Sequence, residues 1–251
     1  MKDFRPISLM GSMYKVLSKV MANRLRNMIS LVVGESQMAL VKNRQILDGF
    51  IIAEEIIHKW KHDKQGGILV KLDFEKAYDC VDHTFLDQMM EIMGFGEKWR
   101  RWMWNCISSP KLSVLVNGIP TKQFVIERSL RQGDPLSHFL FNIVIEGLSA
   151  LFRTSFALNL TRGVIFGKES IHIFHLQFTD NTMLFLLPKV DYLLNARRIL
   201  RCELVSGLRI NFYKTCVARI SCRGREETNW AAIFRSVEMS LQITYLGLPL
   251  G

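Results

Sequence analysis

Residues 172–187, HIFHLQFTDNTMLFLL, constrain this chain more than any other stretch. Two apolar runs, 173–178 and 183–187, flank the polar group Thr179-Asp180-Asn181-Thr182. Short runs this rich in Ile, Leu and Phe predict buried strands. An Asp180-Asn181 turn between them predicts a tight hairpin, because both residues tolerate positive φ. Such a turn lifts a carboxylate out of an apolar sheet at a fixed position. A carboxylate there is costly unless water, a hydrogen bond or a cation meets it. Asp180 is thus either an ordinary turn aspartate or a catalytic or metal-binding acid, and the rest of the chain must decide.

Hydrophobic residues make up 49% of the 251, enough for one large domain or two small ones. Apolar runs as long as a membrane helix are not expected, and the start, MKDFRPISL, lacks the apolar core of a signal peptide. The expectation is no membrane association and an intracellular protein of nucleus or cytoplasm. Five cysteines, with no C-x-x-C pair, read as reduced thiols rather than a disulfide frame or zinc site. His172 and His175 would fall on opposite faces of a strand, so they make no metal pair. The net charge of +10 favours a polyanionic partner such as nucleic acid, with a basic solvated surface as the alternative.

Apolar residues three and four apart predict an amphipathic helix over 10–33 with a basic polar side, and a second over 46–60. Residues 68–74 (ILVKLDF) predict a strand with Asp73 near its end. Helices are expected over 83–93 and 97–107, the tryptophans of the second reading as core. A hairpin is expected over 111–126 around Asn117-Gly118. A polar loop over 128–137 places Pro135 in the first turn of a helix running to about residue 152. Helix 191–205, strand 208–212 and a strand-then-turn over 243–251 complete one continuous α+β domain. If the strands ending at Asp73 and Asp180 are neighbours, the two carboxylates converge, and they repel unless divalent cations lie between them.

Here the chain resembles a known family. KLDFEKAYDCVDH (71–83), RSLRQGDPLSHFLFNIVIEGLSALF (128–152) and HLQFTDNTMLF (175–185) resemble the consecutive palm motifs of reverse transcriptases. DFRPISL (3–9), LVKNRQILDG (40–49), GLRINFYKT (207–215) and YLGLPLG (245–251) resemble the flanking motifs in the same order. The likeness is to non-LTR, LINE-type retrotransposons of plants and covers essentially the whole chain. It implies a right-hand polymerase fold of fingers and palm, with an antiparallel palm sheet flanked by helices. Fingers and helical parts would span about 1–67 and 84–110, the palm about 68–83 and 111–251, with both ends truncated and no thumb. It implies RNA-directed DNA polymerase activity with two Mg²⁺ ions (Mn²⁺ as an alternative), an RNA template, a DNA primer and deoxynucleoside triphosphates. No obligate protein partner is evident.

The resemblance also implies roles. Asp73 and Asp180 look like metal ligands, with the carbonyl of Phe74 assisting and Asn181 as a poorer, neutral ligand beside them. Tyr78 matches the aromatic gate that crowds a 2′-hydroxyl, and Gln132 with Gly133 matches the nucleotide contact. Arg44 and Lys42 are candidate triphosphate or template contacts, since a guanidinium suits phosphate oxygens. Lys214 matches the lysine that protonates pyrophosphate, and Tyr245-Leu246-Gly247 the primer-grip hairpin. Asp79 and Asp82 read as structural. Five departures stand out: Asn181 for a second aspartate, Thr179 for an alanine, Ser129 and Asn43 for glycines, and His138 for a proline. Losing one charge facing Mg²⁺ predicts a rate loss of roughly a thousandfold or more. The expectation is a weak or inactive polymerase fragment. The alternatives are a non-catalytic nucleic-acid-binding remnant or an aggregation-prone product.

Overall fold

The computed structural model describes residues 10–63, 66–108, 111–125, 127–166, 171–222, 230–239 and 243–250. The DFRPISL motif at 3–9 lies outside them. Helices α1 (Ser12–Val32) and α2 (Ile46–His62) come first. Gln45 and Asp48 form a capping box at the start of α2, each side chain taking the other's backbone N–H. Strand β1 (Gly67–Leu72) leads to α3 (His83–Ile92) and α4 (Glu97–Ser108). Short strands β2 (Lys111–Leu112), β3 (Leu115–Val116), β4 (Ile119–Pro120) and β5 (Phe124–Val125) precede α5 (Ser137–Ala157). A ribbon of β6 (Val164–Phe166) and β7 (Ile171–Ile173) leads into the hairpin β8 (His175–Phe178) and β9 (Asn181–Leu186). Helices α6 (Val190–Ile199) and α7 (Glu203–Ser206), strand β10 (Cys216–Ile220), helix α8 (Trp230–Phe234) and strand β11 (Val237–Met239) follow. A hairpin of β12 (Ile243–Tyr245) and β13 (Leu248–Leu250) comes last.

The central sheet runs β11-β10-β1-β9-β8, antiparallel except for the parallel β10–β11 pair. Strand alternation gives it two buried faces. Ile68, Val70, Leu72, Leu184 and Val217 pack with α1, α3, α5 and α6 in one core. Leu69, Met183, Phe185, Leu176 and Ala218 pack on the other side under α2 and the β12–β13 hairpin. Helix α5 is long and apolar enough by composition to cross a membrane, contrary to the expectation that no run qualifies. The fold uses it as a core helix, with residues such as Phe141, Ile145 and Phe152 fully buried.

Four sequence expectations need correction. The hairpin turn is Thr179-Asp180, one residue earlier than Asp180-Asn181, because Phe178 pairs with Asn181. Residues 208–212 form no strand beyond a single bridge from Ile210 to Phe74, and the real neighbour of β1 is the later β10. On α4, Trp102 and Trp104 are 40% and 38% exposed, so the spacing of the tryptophans did not mark a core face. On α1, Met21, Leu25 and Ile29 are buried, whereas Met13, Val16, Leu17, Val20 and Met28 are exposed.

Candidate active site

The pairing of β1 with β9 ends at Leu72 opposite Thr182. Continued one step, that register would set Asp73 opposite Asn181, with Asp180 next along the chain. Adjacent strands lie ~4.8 Å apart and rise ~3.4 Å per residue, so the α-carbons of Asp73 and Asp180 are separated by roughly 6–8 Å. Both acids are half-buried at the same end of the sheet.

Asp73 is held on its other side by the 211–215 turn. Its carbonyl accepts from Asn211 N–H at 2.8 Å, and its N–H lies 3.4 Å from Thr215 Oγ1. Glu75 N–H donates to Arg209 O at 2.7 Å. These bonds use the peptide groups flanking Phe74, which bridges to Ile210 on the same side. Lys71, on the same face of β1 as Asp73, donates to the Thr244 carbonyl of the last hairpin at 2.7 Å. Burial pushes the Cys216 thiol up; Lys71 and Asp73, both within electrostatic range, act in opposite senses.

The donor set at this end is hard oxygen: the carboxylates of Asp73 and Asp180 and the carbonyl of Phe74. That chemistry suits Mg²⁺, which binds through one or two carboxylates and leaves its other positions to water and phosphate. Among the described residues no group of three or more His, Cys, Asp or Glu side chains could close a cage around an ion. The arrangement fits a cation completed by a substrate and does not fit a fully protein-enclosed metal.

Tyr78 stacks on Phe141 of α5 with ring centroids 4.7 Å apart, and its hydroxyl lies 2.9 Å from Nδ1 of His138. Burial, with a contribution from the Asp180 carboxylate, raises the Tyr78 phenol well above its ordinary range. The fold thus brings Tyr78 to Asp180 across 102 residues of sequence.

Half-buried Gln132 and exposed Gly133 form a turn, Gly133 at φ +89°, with open space where a Cβ would stand. The two residues bracketing this turn are buried and fix it. Asp134 accepts from Tyr14 Oη at 2.7 Å, from Ser18 Oγ and from Leu136 N–H at 2.9 Å. Arg131 donates to Tyr14 Oη at 2.8 Å and to the Cys106 carbonyl, its guanidinium over the Tyr14 ring. Burial and the Asp134 carboxylate drive the Tyr14 phenol up. Beside the turn lies a groove of about 440 Å³, lined by Lys15, Val16, Lys19, Val20, Gly133 and Pro135.

The remaining candidates are placed as follows. Arg44 Nη1 donates to the carbonyls of Gly34 and Gln37, both at 2.6 Å, so part of its fork clamps its own loop. Lys42 and Lys214 are exposed, and Lys214 closes the same turn that bonds Asp73. Tyr245 is fully buried under α2, beside Gly49, while Leu246 and Gly247 make the left-handed hairpin turn at φ +52° and +86°. Asp82 caps α3 through Thr84 and Phe85 N–H, which agrees with its structural reading.

Several residues that organise the site gave little warning in sequence. Tyr14 and Ser18 lie within a helix that was legible only by its apolar spacing and basic side. Gln37 stands in a short polar segment, yet it bonds the Asp180 turn: its Oε1 lies 3.3 Å from Thr179 N–H. In sequence the only trace was a polar residue close to a motif; its burial is visible only in the fold.

Comparison with known proteins fits this geometry. The family described as "Reverse transcriptase (RNA-dependent DNA polymerase)" matches residues 1–250. An uncharacterized 149 kDa protein of transposon TX1 from Xenopus laevis is 28% identical over 218 residues, covering 85% of this chain and 16% of the relative. A Pol polyprotein of the R2 retrotransposable element from Popillia japonica is 26% identical over 193 residues, covering 76% and 26%. An uncharacterized mitochondrial protein of Arabidopsis thaliana is 39% identical over 71 residues, covering 28% and 58%. The chain therefore spans about a sixth to a quarter of the two retroelement proteins. Among solved structures, telomerase from Candida tropicalis in complex with a fragment of telomeric RNA superposes with a TM-score of 0.59 at 14% identity, covering 94% of this chain and 35% of the other. That likeness carries the fold alone: a right-hand polymerase fingers and palm. With the motifs, the converging acids and the family match in one frame, the chain belongs to the reverse transcriptase (RNA-dependent DNA polymerase) family, as a domain of the non-LTR retrotransposon type.

Proposed function

We propose that this chain catalyses RNA-templated addition of deoxynucleotides to a primer 3′-hydroxyl, at a low rate. The observation that carries the reading is the β1–β9 register, which brings Asp73 beside Asp180 at one open end of the sheet. Asp73, Asp180 and the Phe74 carbonyl would hold the divalent ions, two Mg²⁺ or Mn²⁺ in their place, leaving open positions for the phosphates of an incoming nucleotide. When bound, the ions supply charge stabilisation to the attacking and leaving oxygens of an in-line displacement. The 211–215 turn and the Thr179 turn orient the two carboxylates. Tyr78, stacked on Phe141, walls the sugar site against a 2′-hydroxyl. Gln132 and the open backbone at Gly133 contact the nucleotide, and Lys42 and Arg44 add positive charge for phosphate. Lys214 delivers a proton to departing pyrophosphate, and the Leu246-Gly247 turn supports the primer end, with Tyr245 as its buried anchor.

Asn181 sets the rate. It occupies the position opposite Asp73 with a neutral amide, so the site carries one charge fewer than a pair of adjacent aspartates would give. The motif resemblance further suggests a plant LINE-type source, fingers over about 1–67 and 84–110, palm over about 68–83 and 111–251, and residence in nucleus or cytoplasm.

A primer-extension assay with an RNA template and Mg²⁺ or Mn²⁺ tests this. Extension that Asp73→Ala abolishes supports it. Extension unaffected by Asp73→Ala, or none with Mn²⁺ and Asn181→Asp together, overturns it. The second reading, a non-catalytic RNA-binding remnant, draws on the exposed lysines and apolar residues of α1. It requires salt-dependent RNA binding that Asp73→Ala leaves intact and no extension at all.

A further inference from the structure

The turn that carries Asp180 is held by a side chain from a distant part of the chain. Residues 36–38 run along the open edge of β8: Gln177 N–H donates to Ser36 O, and Met38 N–H to Gln177 O, both at 2.8 Å. The bridge between Gln37 and Gln177 is parallel. From this edge Gln37, fully buried, turns its Oε1 to the N–H groups of Ala39 at 2.9 Å and Thr179 at 3.3 Å. Both partners are donors, so the amide orientation is fixed. Thr179 is a β-branched residue at φ +52°, a region such residues avoid. Its hydroxyl lies 2.7 Å from Phe178 O and 3.0 Å from Asp180 Oδ1.

The amide has a cost that packing does not explain. Gln37 Nε2 is buried without a hydrogen-bond partner, and so is Nε2 of the neighbouring Gln177. A methionine would fill the same space without burying an unpaired donor. What the glutamine supplies that a methionine cannot is one carbonyl oxygen aimed at Thr179 N–H. That bond stabilises a backbone conformation which threonine does not favour alone, and the conformation sets where the next residue, Asp180, presents its carboxylate.

We infer that Gln37 is a positioning residue for Asp180, coupling the segment between α1 and α2 to the metal-binding end of the sheet. The inference rests on the proposed metal-dependent reading of Asp73 and Asp180. Mn²⁺ binding to the whole chain, followed by calorimetry, tests it alongside thermal stability. Gln37→Met is expected to weaken Mn²⁺ binding about tenfold and to lower kcat with KM for nucleotide little changed. Gln37→Glu, which keeps an acceptor oxygen at the same reach, is expected to restore most of the affinity. Ser149→Ala, which removes a bond to Gln177 and one to His175 from the same buried seam, is the comparison for stability loss alone. Unchanged Mn²⁺ affinity in Gln37→Met, or a loss no greater than in Ser149→Ala at equal melting temperature, overturns the inference. Asp73→Ala without effect on Mn²⁺ sinks instead the metal reading beneath it. Should Gln37→Met fail to fold, amide hydrogen exchange of the unaltered chain decides. Slow exchange at Thr179, like that of Met183 within β9, supports the bond, and exchange as fast as an exposed turn overturns it.

Discussion

The hydroxyl of Tyr78 and Nδ1 of His138 are 2.9 Å apart, and the two rings meet edge to face at 5.5 Å. The partner is exposed and comes from the first turn of α5, so the phenol is pinned from outside while Phe141 stacks against it from within. His138→Ala is therefore expected to leave the ring stacked but freer to swing. Discrimination between deoxy- and ribonucleotides in single-nucleotide extension falls severalfold, against a larger loss for Tyr78→Ala. If the two hydrogen-bonding groups act together, adding Tyr78→Phe to His138→Ala costs nothing further.

Asn181→Asp places a third carboxylate directly across from Asp73. Like charges opposite each other on a sheet are destabilising. Without divalent metal the melting temperature is expected to fall by a few degrees. Millimolar Mg²⁺ restores it, and extension rises by about tenfold or more. A variant that neither loses stability without metal nor regains it with metal would show that residue 181 does not face the cation site.

Ser129 adopts φ +116°, outside the comfortable range of any residue with a Cβ. Its local bonds are made by backbone: Ser129 N–H to Val81 O at 3.0 Å, and His83 Nε2 to Ser129 O at 2.8 Å. Ser129→Gly keeps both and removes the strain. A gain of about 1 kcal/mol, or roughly 2–4 °C in melting temperature, is expected. Asn43→Gly, at φ +65°, should give less, because asparagine tolerates the left-handed region.

His175 is buried between Ser36 and Ser149, its Nε2 at 2.7 and 3.0 Å from the two hydroxyls. Burial, with a smaller contribution from Arg153, pushes its pKa down to about 3. The unfolded chain protonates this ring near its ordinary value, so acid favours the unfolded state. The contribution to stability is whole above about pH 7. It is lost as pH falls through the ordinary histidine range toward 3, at up to about 1.4 kcal/mol per pH unit. Denaturant midpoints measured from pH 7.5 to 4.5 should drop less steeply for His175→Gln than for the unaltered chain.

How legible the fold was in sequence depended on the kind of signal. Long helices with regular apolar spacing, such as α2 and α3, came out within a few residues, because 3.6-residue periodicity is a local property. The β1 strand and the β8–β9 hairpin were legible as apolar runs, but the turn slipped by one residue. Asp-Asn is the better turn pair by propensity, whereas the Phe178–Asn181 pairing puts Thr179 in the left-handed position, with Gln37 on its N–H. Strand β10 was missed because its five residues, CVARI, mix an exposed arginine with small apolar groups and show no run. The two acids stood out at an apolar hairpin and at the end of an apolar run, and again in the motifs; the groups that hold the turns around them did not. Gln37, Tyr14 and Arg131 act across 142, 120 and 25 residues of sequence, on Thr179, Asp134 and the Cys106 carbonyl respectively, and such contacts leave no periodic trace. Tyr245 matched a primer-grip motif, and its ring fills the core under α2 while Leu246 and Gly247 make the adjoining turn.

The strand bearing Asp73 is third in the sheet, between partners that arrive more than a hundred residues later. During synthesis, the first acid leaves the ribosome long before either flanking strand exists to receive it. No local nucleus can unite the two carboxylates, because their proximity is a property of the closed sheet and of nothing smaller. A chain interrupted anywhere between β1 and β9 is thus left with a lone acid at the end of an unpaired strand, and loss of the paired carboxylates is all-or-none rather than graded.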